Sequence, residues 1–81
     1  MDQRELDSRW FNFEPIEGVR FGLNDSVRIL SGEHAGKGAA VISLVSTRPV
    51  TYLVELGFGG DIEIVETDLE LLERHVQTET K

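Results

Sequence analysis

Five short runs of strand-forming residues follow one another between residues 27 and 73, and they constrain the fold more than any other feature of the chain. Most of the runs are rich in β-branched residues, and clusters of Gly, Pro, Asn or Asp separate them. This pattern is typical of all-β barrels and sandwiches. The sequence therefore predicts an all-β domain over residues 23–73. Its strands are VRIL (27–30), AAVISLVS (39–46), VTYLVEL (50–56), IEIVE (62–66) and LELLE (69–73).

Alternation within these runs predicts which side chains face the core. Successive side chains of a strand point to opposite faces, so alternating apolar positions share one face. The connections are also predictable: residues 47–49 suit a hairpin turn, residues 57–61 a glycine-rich loop, and residues 66–68 one turn of 3₁₀ helix. The predicted inward set is Val27, Ile29, Tyr52, Val54, Leu56, Ile62 and Ile64.

The two ends of the chain lack the strand pattern. In residues 1–22, Leu6, Trp10 and Phe13 follow one another at i, i+4 and i+7, and Pro15 comes next. This spacing puts the three side chains on one face of a short helix that stops before the proline. An irregular arm that lays its aromatic residues on the domain is the open alternative. Residues 74–81 are polar, and we expect them to form a flexible C-terminal tail.

Length and cysteine content limit the class of protein. A chain of 81 residues without cysteine fits one domain, and it excludes disulfides, zinc fingers and thiol nucleophiles. This favours a reducing, cytoplasmic setting. The N-terminus lacks a cationic segment followed by an apolar run, and no stretch is apolar over the length of a bilayer. We therefore expect a cytoplasmic protein without a targeting or membrane segment, and we assume a monomer.

The net charge of −7 is unevenly distributed along the chain. Residues 55–73 carry seven acids and no lysine or arginine, whereas residues 26–54 carry three basic residues and one acid. Nucleic-acid affinity depends largely on Lys and Arg that neutralise phosphates, so an acidic half repels such a ligand at long range. The distribution indicates a basic protein partner, or it serves solubility alone.

The stretch SGEHAGKG (residues 31–38) carries most of the candidate chemistry. A phosphate-binding loop needs four residues between its first glycine and its Gly-Lys pair, followed by Ser or Thr and a helix. Here the first two glycines enclose three residues, a glycine follows the lysine, and a strand is predicted next. We therefore interpret the loop as a turn between two strands and not as a phosphate site.

His34 and Glu33 in this loop invite a catalytic or metal-binding interpretation. The other histidine, His75, lies near the C-terminus, and no cysteine can serve as a ligand. No serine or carboxylate has a partner in sequence that would mark an activated nucleophile or an acid/base pair. We interpret His34 as a solvated loop residue and predict no catalytic site, no metal and no cofactor.

Residues 24–56 follow a recognisable pattern. It consists of a polar start at Asn24-Asp25, a strand with Val27 and Ile29, then Gly32, a turn at Gly36-Lys37, a hydrophobic strand, and a strand ending Val54-Glu55-Leu56. This pattern resembles a KOW motif within an SH3-like barrel, as in several ribosomal proteins and NusG-type transcription elongation factors. The resemblance implies a small five-stranded SH3-like barrel whose last two strands lie in residues 61–73.

The same resemblance implies RNA binding, which carries over to Lys37 in the loop and to Arg28. The chain departs from the family at one point. Ala39 stands where the family has its most persistent glycine, and Gly38 comes one position earlier. We therefore expect a bulge or a register step in the strand pairing at this turn.

Two functions are consistent with these features. The first is a non-enzymatic SH3-like interaction module that binds a protein partner through its loop end and acidic surface. Phe58 is then either an apolar contact or a plug of the barrel end. The alternative is a ribosome- or transcription-associated RNA-binding domain of KOW type, which would use the basic residues and His34. The candidate partner-binding residues are Arg28, His34, Lys37, Arg48, Phe58 and Glu63.

Overall fold

The computed structural model describes residues 2–75, which contain one α-helix and five β-strands. All five predicted strands are confirmed, with ends within one residue of those expected, and so is the 3₁₀ turn. The hairpin expected at residues 47–49 is confirmed as well, because Thr47 pairs with Val50. The elements are α1 (Gln3–Phe11), β1 (Ser26–Ile29), β2 (Gly38–Thr47), β3 (Val50–Leu56), β4 (Asp61–Val65), the 3₁₀ turn (Glu66–Asp68) and β5 (Leu69–Glu73).

The strands form one antiparallel sheet in the order β4-β3-β2-β1-β5. Its two edge strands, β4 and β5, are joined only by the three-residue 3₁₀ turn. In a flat sheet these edges would lie about 19 Å apart, whereas the four peptide units from Val65 to Leu69 reach at most about 15 Å. The sheet therefore curls. β4 and β5 are not paired with each other, so the sheet is open and not a closed barrel.

The inner face of the curled sheet carries the core, as alternation predicted. β2 departs from simple alternation, because its pairing with β3 shifts between Val41 and Ser43 and again between Leu44 and Ser46. As a result Val41 and Leu44, three residues apart, are both buried. The predicted inward residues Val27, Ile29, Tyr52, Val54 and Leu56 are buried, and Ile62 and Ile64 pack against them half-buried.

The N-terminal segment forms a helix rather than an irregular arm. The Asp2 side chain caps α1 by accepting a hydrogen bond from the backbone N–H of Glu5 over 2.8 Å. Leu6 and Trp10 are buried on the core side of the helix, and the Trp10 indole donates to the carbonyl of Phe21 over 2.9 Å. The helix has nine residues, and within residues 2–75 no helix is long and apolar enough to cross a membrane.

Phe13 does not continue the buried face of α1, contrary to its i+7 spacing. The helix ends at Phe11, and Asn12 is its C-cap. Phe13 then adopts a left-handed φ of 61° while the backbone N–H of Glu14 donates to the carbonyl of Arg9 over 2.9 Å. Because the helix ends before it, Phe13 does not join Leu6 and Trp10 on the buried face, and its side chain is 39% exposed.

Asp25 joins the two ends of the domain. It is the buried acidic residue just before β1, with 2% of its surface exposed. Its carboxylate accepts hydrogen bonds from the backbone N–H of Gly22 and of His75, both over 2.8 Å, and from the Arg74 guanidinium over 3.2 Å. The first two residues after β5 are thus bonded to the domain. The rest of the predicted tail, residues 76–81, lies outside the described residues.

Candidate functional site

Two loops lie side by side at one end of the sheet. The β1–β2 loop (residues 30–37) leads into β2, and the β3–β4 loop (residues 57–60) follows β3. They are neighbours because Ala39, near the start of β2, pairs with Leu56 at the end of β3. We call this end of the sheet the loop end. It contains SGEHAGKG and the glycine-rich loop that the sequence singles out.

Three of the predicted site residues meet at the loop end. The ring centroids of His34 and Phe58 are 5.9 Å apart, with the planes tilted by 41°. The Lys37 ammonium lies over the Phe58 ring, 5.4 Å from its centroid. We call His34, Lys37 and Phe58 the loop-end cluster. A cation over an aromatic face in an exposed position contributes about 0.5–1 kcal/mol, enough to bias the orientation of the ring.

The backbone of the β1–β2 loop is tied closely to β1. The N–H of Gly36 donates to the carbonyl of Ile29 over 2.7 Å, and the N–H of Ile29 donates to the carbonyl of Lys37 over 2.9 Å. Gly36 has a φ of 90°, a region that residues with a Cβ rarely adopt. Gly36 is therefore needed for the conformation of the turn. The turn also fixes the backbone position of Lys37, whose side chain extends to Phe58.

The bulge expected between Gly38 and Ala39 is not found in the β1–β2 pairing. Val27 pairs with Ala39 and Arg28 with Gly38 in continuous register. A Cβ built on Gly38 meets only the carbonyl oxygen of Val27, at 3.9 Å, which is an ordinary contact. The prediction of an irregularity here was wrong. Gly38 occupies a regular strand position, and neither its backbone conformation nor the space around it requires a glycine.

The Phe58 side chain is exposed and does not plug the core. Its side chain is 65% exposed, and it is absent from the buried cluster that fills the inner face. His34 beside it is half-buried, and its Nδ1 is shielded from solvent without a hydrogen-bond partner among the described residues. The sequence left two roles open for Phe58, an apolar contact and a plug of the barrel end. Its exposure rules out the plug and leaves the side chain available for contact with another molecule.

Of the other predicted residues, Arg28 lies opposite Gly38 beside the loop, whereas Arg48 and Glu63 lie apart from the loop-end cluster. Arg28 donates to Glu70 across the β1–β5 pair over 3.2 Å, with both side chains about half exposed. Arg48 lies in the hairpin at the far end of β2, a strand of ten residues that spans about 30 Å. Glu63 lies on edge strand β4, opposite Leu53 and on the face away from the core. The structure therefore does not assemble the four residues of the RNA-binding alternative into one surface.

A groove of about 670 Å³ crosses the outer face of the sheet next to the β3–β4 loop. Small residues of β1 and β2, namely Ser26, Gly38 and Ala40, line its middle. Leu72 of β5 borders one side. Glu55 of β3 and the glycines on either side of Phe58 border the other. The groove is thus continuous with the loop end.

Leu72 is a site residue that the sequence reasoning missed. Its side chain is 47% exposed, although leucine is usually buried. The signal was present in the last strand, LELLE, because two consecutive leucines cannot both face the core. Leu69 and Leu71 take the inner face, so Leu72 is left on the outer one.

Neither a metal-binding cluster nor a known relative indicates what this site does. Within residues 2–75 no group of three or more His, Asp or Glu side chains is arranged to hold a metal ion. No family model, curated protein or solved structure matches the chain. The KOW resemblance therefore stays a prediction from the sequence, and function has to be argued from the geometry of the loop end.

Proposed function

We propose that this chain is a non-enzymatic SH3-like interaction domain that binds a protein partner through its loop end. The observation that carries the proposal is the loop-end cluster, in which a 65% exposed Phe58 is contacted by His34 and Lys37. An aromatic side chain that is already oriented loses little conformational freedom on binding. Covering a phenylalanine contributes about 1.5–3 kcal/mol, a useful part of the roughly 8 kcal/mol of a micromolar complex.

Connectivity supports the SH3-like part of the proposal. Four strands follow one another as a meander, and a single 3₁₀ turn leads to a fifth strand that pairs with the first. The curl that this short connection requires draws the edge strands β4 and β5 toward each other. A small, partly open barrel is the arrangement that accounts for both features.

Charge supports a protein partner with basic character. The chain carries −7, and two of its acids, Glu55 and Asp61, lie directly on either side of the β3–β4 loop. RNA binding, the alternative from the sequence, has weaker support. The charge of Arg28 is engaged by Glu70, and Arg48 lies at the other end of β2. Lys37 is then the main cation at the loop end, whereas phosphate recognition is built from several.

Affinity capture with matched variants tests the proposal. The full chain, Phe58→Ser and Phe11→Ser are each immobilised and exposed to the same cell lysate, and bound proteins are quantified by mass spectrometry. Phe11 is the control because it is also an exposed phenylalanine, 43% exposed, but lies on α1. We expect proteins that the wild type and Phe11→Ser retain and that Phe58→Ser loses.

The same set of proteins on all three forms would contradict a role for the loop end. A parallel titration with a short random-sequence RNA at low salt tests the alternative, because electrostatic binding is strongest there. Tight RNA binding that is unchanged in Phe58→Ser would replace the proposal with the RNA-binding function.

A further inference from the structure

The groove beside the loop end combines an exposed apolar side chain with carboxylates that form no ion pair within residues 2–75, and this combination limits what it can bind. We propose that it binds an extended peptide segment in which an apolar side chain stands next to a lysine or arginine. This inference rests on the proposed function and deepens it, since it names the part of the partner that is recognised. It also adds a second contact surface to the loop-end cluster.

The lining of the groove can accommodate the apolar side chain of the segment. Ser26, Gly38 and Ala40 have side chains short enough to let another chain approach the sheet closely. Leu72 rises beside them with 47% of its surface exposed, so it offers an uncovered apolar wall. A volume of about 670 Å³ lies in the range of sites that hold a ligand.

Carboxylates beside the groove can pair with the lysine or arginine of the segment. Glu55 lies directly opposite Asp61 in the β3–β4 pairing, and like charges in that position destabilise a sheet. On the Leu72 side, Glu73 pairs with the groove residue Ser26 across the β1–β5 ladder and is also exposed. The ion pairs within residues 2–75 use other carboxylates, so none of these three has a cation from the described part of the chain. A lysine or arginine of a bound segment would relieve the repulsion between Glu55 and Asp61.

The same charges argue against other occupants. A second copy of the chain would bring another −7 to an already acidic border. A nucleic acid would bring phosphates to Glu55, Asp61 and Glu73, which long-range repulsion disfavours. A basic segment is attracted by the same field, and its association is faster at low ionic strength. The occupant that fits both the apolar wall and the acidic borders is therefore a basic and apolar peptide.

Selection from a random peptide library on the immobilised full chain tests this inference. The most enriched peptide is then synthesised and titrated into the isotopically labelled full chain, with binding followed by NMR. We expect enriched peptides to carry Lys or Arg beside Leu, Ile, Val or Phe. We expect amide shifts at residues 38–40, 57, 59 and 72, which line the groove.

Two variants and one control make the test specific. Leu72→Ser removes the apolar wall, and Glu55→Gln removes a border charge while easing its repulsion with Asp61, so neither change should unfold the chain. Each should weaken the selected peptide by about fivefold or more. Glu14→Gln, an exposed carboxylate after α1 and outside the groove, should change affinity by less than about twofold.

Three results would overturn the inference. Enriched peptides without Lys or Arg whose shifts are confined to residues 32–37 and 58 would do so, and they would leave the proposed function standing. Failure of any peptide to enrich would also overturn it, and affinity capture with Phe58→Ser then decides the proposed function separately. A dimer in sedimentation that Leu72→Ser dissociates would show that a second copy occupies the groove.

Discussion

The Tyr52 hydroxyl donates a hydrogen bond to a carboxylate oxygen of Glu66 over 2.6 Å, and it accepts one from the backbone N–H of Phe21 over 3.1 Å. The same Glu66 oxygen accepts from the backbone N–H of Arg20 over 2.8 Å. Tyr52 lies in β3 and Glu66 begins the 3₁₀ turn, so this network holds the turn and the segment before β1 against the sheet. It therefore helps to fix the curl that brings the edge strands together.

Removing the hydroxyl with Tyr52→Phe should destabilise the fold. Both the Glu66 carboxylate and the Phe21 N–H lose a partner near the core, which typically costs about 1–3 kcal/mol. Urea unfolding of the two forms measures the change. Thr51→Val, which removes a neighbouring hydroxyl that bonds the carbonyl of Pro49 outside the core, should stay within about 0.5 kcal/mol. Equal effects of the two changes would contradict the role given to the network.

Alkaline pH should weaken the fold through the same residue. Burial, and then the hydrogen bond to Glu66 and its charge, raise the pKa of Tyr52 well above its ordinary value. An unfolded tyrosine loses its proton near pH 10, at a lower pH than the folded one. The stability from neutral Tyr52 is thus fully present below about pH 10 and declines as pH rises beyond it.

The chain has one tyrosine, so phenolate absorbance reports this residue alone. We expect the phenolate signal to appear together with loss of the β-sheet circular dichroism, and the alkaline loss of stability to be smaller in Tyr52→Phe. A phenolate that forms near pH 10 while the sheet remains intact would contradict the expected behaviour.

Asp25→Ala should be among the most damaging single changes. It leaves the backbone N–H groups of Gly22 and His75 without their acceptor and removes the partner of Arg74. Loss of a buried, hydrogen-bonded carboxylate costs about 3 kcal/mol or more. Hydrogen exchange should show faster exchange first at the Gly22 and His75 amides. Asp61→Asn, an exposed acid on β4, is the matched control and should leave both amides protected.

Ala40→Val separates folding from groove binding. Ala40 lies on the outer face of β2, opposite Ser26 and Glu55, where a β-branched residue suits a strand. We expect the free energy of unfolding to stay within about 0.5 kcal/mol of the wild type. Because valine fills the middle of the groove, the peptide selected on the wild type should no longer bind. Undiminished binding would mean that the peptide lies elsewhere.

Much of the fold could be predicted because apolar and polar positions alternate in β1, β3 and β4. Tyr52, Val54 and Leu56 form an unambiguous inward series, and the predicted bounds of β3 match the structure. Residues 66–68 are too short for anything longer than one turn, which predicted the 3₁₀ connection. The two glycine-rich loops were also identifiable as candidate binding elements from their composition.

Other features depend on long-range pairing that the sequence does not display. The run AAVISLV is apolar at nearly every position, so either register fits, and the shifts beside Val41 and Leu44 become visible only against β3. The neutralisation of Arg28 by Glu70 needs the β1–β5 pairing. The contact of Lys37 with Phe58 likewise needs two loops that are distant in sequence.

The affinity of the protein captured on the wild-type chain tests the central claim most directly. Its dissociation constant is measured by calorimetry for the wild type, Phe58→Ser and Phe11→Ser, with unfolding curves to confirm that all three are folded. We predict that Phe58→Ser binds about tenfold more weakly or worse, because an anchor worth about 1.5–3 kcal/mol is lost, and that Phe11→Ser binds like the wild type. Equal affinity of Phe58→Ser and the wild type, or a loss confined to Phe11→Ser, would contradict the assignment of the loop end as the binding surface.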